Sequence, residues 1–135
     1  MRKQLGAILL VGAVALTTAC SSGAAAANNA TDTAPAISAN GAQQVTLKVG
    51  NNMSFAPSTI TVRAGQTVEL TLRNEGFLPH DFTLTEGVAE PVKIAGGGGQ
   101  TTSGTFTIDT PGAYTFVCTV PGHESAGMKG TIMAQ

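Results

Sequence analysis

Gly112-Ala-Tyr114-Thr-Phe116-Val-Cys118-Thr-Val-Pro-Gly-His123-Glu-Ser-Ala-Gly-Met128 joins a strand pattern directly to a turn rich in metal-binding side chains. Tyr114, Phe116 and Cys118 occupy alternate positions, so an extended chain points all three to one face. Aromatic residues belong on a core face, and the cysteine sulfur is therefore directed inward with them. Past the cysteine, His123 and Met128 follow at Cys-x4-His-x4-Met spacing, with Gly122 and Gly127 beside them to permit tight backbone turns. A thiolate, an imidazole and a thioether are soft and borderline ligands. The stretch reads as a loop that wraps a metal at the end of a buried strand.

The same two-residue period recurs upstream. Val45, Leu47 and Val49 alternate with Thr46 and Lys48; Ile60 and Val62 with Thr61 and Arg63; Val68, Leu70 and Leu72 with Glu69, Thr71 and Arg73. Phe82 with Leu84 and Phe106 with Ile108 continue it. Turn residues close each run, as in Gly50-Asn-Asn52, Asn74-Glu-Gly76 and Asp109-Thr-Pro-Gly112. Short half-buried strands at this spacing, with no helical period, predict an all-β, two-sheet antiparallel sandwich of about seven to eight strands over 43–135. Glu86 to Gly104, with Pro91 and the run Gly96-Gly-Gly-Gly99, is expected to be a mobile loop. Its glycines are no phosphate loop, because no Lys-Ser/Thr follows and no helix start receives a phosphate.

The N-terminal third differs in character. Met1-Arg-Lys-Gln4 is a positive head and Leu5 to Leu16 an apolar run too short to span a bilayer, which together suit an export signal over 1–20. Its end, Leu16-Thr-Thr-Ala-Cys20-Ser-Ser, resembles the bacterial lipobox, with Leu16 four residues before the cysteine rather than three. That resemblance implies cleavage before Cys20, a lipid on its thiol, and a membrane-anchored protein facing the periplasm or the cell exterior. Residues 21–42 are Ala, Ser, Asn, Thr and Gly with hardly a large apolar side chain, so they cannot offset their ordering entropy and are expected to form a flexible tether. With Cys20 acylated or removed, Cys118 is the only thiol of the exported chain. In an oxidising compartment a lone cysteine is a liability unless something holds it, and a metal does so.

A net charge of −1, with only 11% charged residues, gives no field that would recruit nucleic acid. The ligand count is equally restrictive. Two histidines with one cysteine and a weak axial methionine form the set that selects copper for one-electron transfer. The chain has only two histidines, so the second imidazole must be His80. Met53 and Met133 read as packing residues.

The block Met53-Ser-Phe-Ala-Pro57-Ser-Thr-Ile-Thr-Val62-Arg-Ala-Gly65-Gln-Thr-Val-Glu-Leu70, the segment Asn74 to Phe82 with Leu78-Pro79-His80, and Gly112 to Cys118 together resemble the cupredoxins, and within them plastocyanin and auracyanin. The resemblance covers Gln43 to Gln135. It implies a Greek-key β-sandwich, and a single type 1 copper held by His80, Cys118, His123 and axial Met128. It further implies an electron carrier that meets redox partner proteins briefly through apolar residues around His123 such as Phe77, Leu78, Pro79 and Pro121; a monomer is the default expectation. Many relatives carry after the upstream histidine an asparagine that braces the cysteine loop; here the residue is Asp81, which cannot donate an amide hydrogen bond.

An enzyme is not expected. Oxidases and nitrite reductases that resemble cupredoxins need further coppers on further histidines, and Val117 and Thr119 flank Cys118 where multicopper oxidases place histidine. A binuclear copper centre needs a second cysteine in the loop. The alternative to an electron carrier is a periplasmic copper carrier that binds Cu(I) and passes it on.

Overall fold

A computed structural model describes residues 35–135; the expected export signal, Cys20 and the expected tether as far as residue 34 lie outside the described residues. Ten strands follow in order: β1 (Ala36–Ile37), β2 (Gln43–Val49), β3 (Phe55–Ala56), β4 (Thr59–Val62), β5 (Val68–Asn74), β6 (His80–Leu84), β7 (Val92–Gly96), β8 (Thr101–Phe106), β9 (Gly112–Val117) and β10 (Lys129–Ala134). They form a sandwich. One sheet runs β1-β2-β5-β8 with β3 added to β2, and the other runs β4-β10-β9-β6-β7.

Alternation dictates which side chains enter the space between the sheets. Val45, Leu47 and Val49 of β2, Leu70 and Leu72 of β5, Phe82 and Leu84 of β6, and Ile132 of β10 are buried, while their sequence neighbours within the strands face outward or are half-buried, except Asp81, which is buried beside Phe82. Phe55 packs edge-on against Phe116 with ring centroids 4.9 Å apart, Phe116 against Phe82 at 5.0 Å, and Phe82 against Phe106 at 5.7 Å. This chain of rings crosses from sheet to sheet twice, so it locks their separation as well as burying apolar area. Cys118 and Met128 belong to the same buried cluster, as strand parity predicts for the cysteine.

Three expectations are corrected. The pairing is not wholly antiparallel: β2 runs parallel to β5 and β4 parallel to β10. The chain leaves β2, contributes β4 to the opposite sheet and returns as β5, which is the crossover that a parallel pair requires. Second, the segment 86–104 is not a loop, since it holds β7 and most of β8. Its pattern lacks large apolar residues because Gly104 makes room for a neighbour: a Cβ there would stand 2.8 Å from Cγ1 of Ile94. Third, the last part of the expected tether is built into the fold. Ala36 and Ile37 pair with Gln44 and Gln43, and Gln66 Nε2 donates to the Gly41 carbonyl at 2.7 Å. These contacts are polar and backbone-made, so an apolar pattern could not signal them.

The order β10-β9-β6 matters most for the site. The neighbours are antiparallel, with Lys129 opposite Val117 and Val117 opposite Thr83. The end of β9 and the starts of β10 and β6 therefore lie together at one end of the sandwich. Cys118 follows β9, Met128 precedes β10 and His80 opens β6.

Candidate metal centre

Strand ends thus deliver Cys118, Met128 and His80 to one place, and the intervening turn supplies His123. That turn is closed by its own backbone: Cys118 N–H donates to the Met128 carbonyl at 3.1 Å, Met128 N–H to the His123 carbonyl at 3.0 Å, and His123 N–H to the Val120 carbonyl at 3.0 Å. Gly122 at φ 86° and Gly127 at φ 94° hold left-handed conformations that would strain other residues. The turn is stapled at both ends before any ion enters it.

The ligand atoms of His80, Cys118 and His123 all lie within 4.8 Å of one another, and all three residues are buried. Cys118 Sγ stands 3.4 Å from His123 Nδ1, and the two imidazole rings approach to a centroid separation of 4.9 Å. His123 is 6% exposed, against 1% for His80 and none for Cys118 or Met128, so it is the ligand nearest solvent. Met128 joins them through the backbone bonds to Cys118 and His123 given above.

The fit to a metal can be tested on the polar atoms. Both ring nitrogens of His80 are buried without a hydrogen-bond partner among the described residues. An imidazole left so loses the hydration of two polar atoms and regains little beyond a weak pull from the Gly50 carbonyl, a cost of about 1–3 kcal/mol for each unsatisfied group. Coordination of an ion between the three residues would offset that. Burial, and then the nearby His123, hold the His80 pKa below its ordinary value, against weaker opposing pulls from the Gly50 carbonyl and Asp81. The ring is therefore neutral at neutral pH and has a free lone pair to offer. Thiolate, two imidazoles and a buried thioether suit copper.

Around the ligands runs a polar frame. Asp81 N–H points at Cys118 Sγ at 3.4 Å. Its carboxylate does brace the cysteine loop, accepting on both oxygens: Oδ1 takes the Thr119 N–H at 2.8 Å and the Thr83 hydroxyl at 2.9 Å, and Oδ2 takes the Thr119 hydroxyl at 2.9 Å. Lys93 Nζ lies 3.3 Å from the same oxygen Oδ2. Burial pushes the Asp81 carboxyl up, but the bonds from Thr119 and Thr83 and the charge of Lys93 outweigh it, and the net shift is downward. The sequence marks Asp81 by its position after His80 and Thr119 only as a neighbour of Cys118; nothing local marks Lys93, an outward-facing lysine, as a partner of a buried carboxylate.

The sequence profile of the copper binding proteins of the plastocyanin/azurin family matches residues 42–135. Among curated proteins, the chain is 30% identical over 120 residues to the copper-resistant cuproprotein CopI of Rubrivivax gelatinosus, covering 75% of this chain and 72% of the relative. It is 36% identical over 103 residues to plastocyanin of Scenedesmus fuscus, covering 67% of this chain and 99% of that one. Among solved structures, dithionite-reduced auracyanin of Roseiflexus castenholzii superposes with a TM-score of 0.62 at 25% identity, over 70% of this chain and 99% of the other. With its sandwich, its buried ligand cluster and a profile match that spans the folded region, the chain belongs to the plastocyanin/azurin family of copper-binding proteins, the cupredoxins.

Proposed function

We propose that this protein carries single electrons between redox proteins outside the cytoplasm, using one type 1 copper bound by His80, Cys118, His123 and, axially, Met128, and that a lipid on Cys20 tethers it to a membrane. The observation that supports this best is the burial of a lone thiolate donor beside two imidazoles in a turn already closed by backbone hydrogen bonds. Copper bound there supplies a Cu(I)/Cu(II) couple. The chain's own contribution is rigidity: ligands seated on three strand ends and a stapled turn hold one geometry through both oxidation states, so little rearranges when the electron moves. The likeness to plastocyanin, and the structural likeness to auracyanin, support the same reading. No catalytic role is proposed.

The partner surface we assign lies beside the ligands in the chain. Phe77 is 90% exposed and Leu78 is 40% exposed, and Pro79 and Pro121, which precede His80 and His123 in the chain, are exposed as well. Phe77 is presented stiffly: its N–H donates to Asn51 Oδ1 at 2.9 Å, and buried Asn74 ties the loop through Gly76 N–H, the Leu78 carbonyl and the Gly96 carbonyl. An exposed aromatic on a rigid loop suits brief, small contacts. Phe77→Ala should slow second-order electron exchange with a partner about tenfold, equivalent to about 1.4 kcal/mol, with absorption and reduction potential unchanged. Stopped-flow kinetics check it, and an unchanged rate removes Phe77 from the contact.

The kinship to a copper-resistant cuproprotein favours a second reading, a carrier that binds copper and hands it on. Adding Cu(II) to the purified protein separates the two. An intense visible charge-transfer band, bleached reversibly by ascorbate and matched by a type 1 EPR signal, supports the electron carrier. A colourless metal readily removed by chelators supports the copper carrier. Met128→Leu should then leave the band in place and raise the reduction potential, since loss of a weak axial donor disfavours Cu(II). An unchanged potential by voltammetry would show that Met128 is not axial.

A further inference from the structure

We propose that Lys93, an exposed residue on edge strand β7, is a positioning residue for the metal centre, acting on Cys118 through Asp81 and Thr119. No part of Lys93 belongs to the ligand cluster. Its strand is separated from β9 by β6, and its Cα partner across the β6–β7 pair is Thr83, which puts Asp81 on the adjacent diagonal of the same sheet face. From there Nζ reaches Asp81 Oδ2 at 3.3 Å and Thr119 Oγ1 at 2.8 Å.

The hydrogen-bond directions make the arrangement one-way. An ammonium only donates, so the Thr119 hydroxyl must accept from Lys93 and turn its own proton elsewhere. That proton goes to Asp81 Oδ2 at 2.9 Å, while the Thr119 N–H goes to Asp81 Oδ1 at 2.8 Å. Thr119 is thereby fixed at its amide and at its hydroxyl, and it is the residue bonded to Cys118. The carboxylate is fixed too, being 3% exposed and bound by Thr83 on its other side. Its own N–H is the donor aimed at Cys118 Sγ. The Asp81 N–H aimed at the sulfur and the Thr119 amide next to the cysteine are both held by a chain of bonds that begins on a solvent-facing lysine.

Lys93 also balances charge. A buried carboxylate without its cation leaves a negative charge one residue from His80 and close to the thiolate, and such a charge favours the more positive metal state. Native Lys93 therefore holds the potential up and the cysteine turn still. The charge part of this rests on the copper assignment; the orientation part does not.

Lys93→Met in the full chain tests both. Without copper, amide hydrogen exchange at Thr119 should become about tenfold faster while core strands exchange as before, a signature of local loosening and not of lost global stability. With copper, the reduction potential should fall. Lys93→Arg, which keeps the charge and the donors, should restore both values toward the parent, and Asp81→Asn combined with Lys93→Met should lie closer to the parent in potential than Lys93→Met alone. Unchanged Thr119 exchange in copper-free Lys93→Met overturns the proposal whether or not the parent binds copper as assigned. An unchanged potential in a variant that is otherwise blue overturns the charge part by itself.

Discussion

Cys118→Ser removes the intense visible absorption of the copper-loaded protein completely, while the copper-free domain keeps its fold. The band depends on thiolate-to-copper charge transfer, and a hydroxyl oxygen is neither soft nor ionised at neutral pH, so it cannot replace the sulfur. The structural effect is modest by comparison. Cys118 is fully buried, and exchanging its sulfur for a hydroxyl places a polar group in the core at about 1–3 kcal/mol, with the Asp81 N–H, now facing sulfur at 3.4 Å, available as a partner. The turn that carries the ligands is closed by backbone bonds of Cys118, His123 and Met128, none of which involves the substituted atom. Absorption and EPR after copper addition, with circular dichroism of the copper-free variant, check both halves. A variant that stays blue would exclude Cys118 as the ligand. One that loses the colour yet holds Cu(I) as firmly as the parent would favour the copper carrier, whose binding needs the imidazoles and thioether more than the thiolate.

How much of this could be read from the chain depended on whether the information was local. Alternation at Val45, Leu47 and Val49, at Leu70 and Leu72, and at Phe116 and Cys118 reports which face is buried, because burial acts on each side chain separately. The sandwich and the inward sulfur followed from it. Strand β7 has one large buried apolar residue, Ile94, and β8 is mostly Thr, Ser and Gly, so neither carried the signal although backbone pairing made both. The parallel pairs β2–β5 and β4–β10 are properties of topology, which no window of sequence records. At the site the same division holds. Cys118, His123 and Met128 are close in sequence and their spacing can be read; His80, far away in the chain, is reached because only one other histidine exists and because the segment around it resembles the cupredoxins. The partnership of Lys93 with Asp81 and Thr119 depends on register between neighbouring strands and on a turn beyond them; the sequence marks Asp81 by its place after His80 and Thr119 by its place after Cys118, but nothing in it joins either to Lys93.

Phe116→Ala should lower the stability of the copper-free domain by about 3–5 kcal/mol, a large part of the roughly 5–15 kcal/mol that typically holds a domain folded. Phe116 has no exposed surface and touches both sheets' aromatic residues, Phe55 at 4.9 Å and Phe82 at 5.0 Å. The void cannot close easily, because the wall opposite is backbone. Gly130 is the Cα partner of Phe116, and a Cβ on it would lie 2.2 Å from Cζ of the ring and 2.5 Å from the Ser58 carbonyl oxygen, so the sheet there is already drawn in against the aromatic. Phe116 also stands two residues before Cys118 on the same face, directly on the strand whose end carries the sulfur. Loosening that strand weakens copper binding, and bound copper stabilises the folded state only in proportion to the logarithm of its affinity. The copper-loaded protein should therefore lose at least as much stability as the copper-free one. Urea unfolding of both forms measures the two losses. A copper-free loss under about 1 kcal/mol, below the range for a buried aromatic, would mean the ring does not join the sheets; a smaller loss with copper than without would mean that the ion, and not the scaffold, assembles the site.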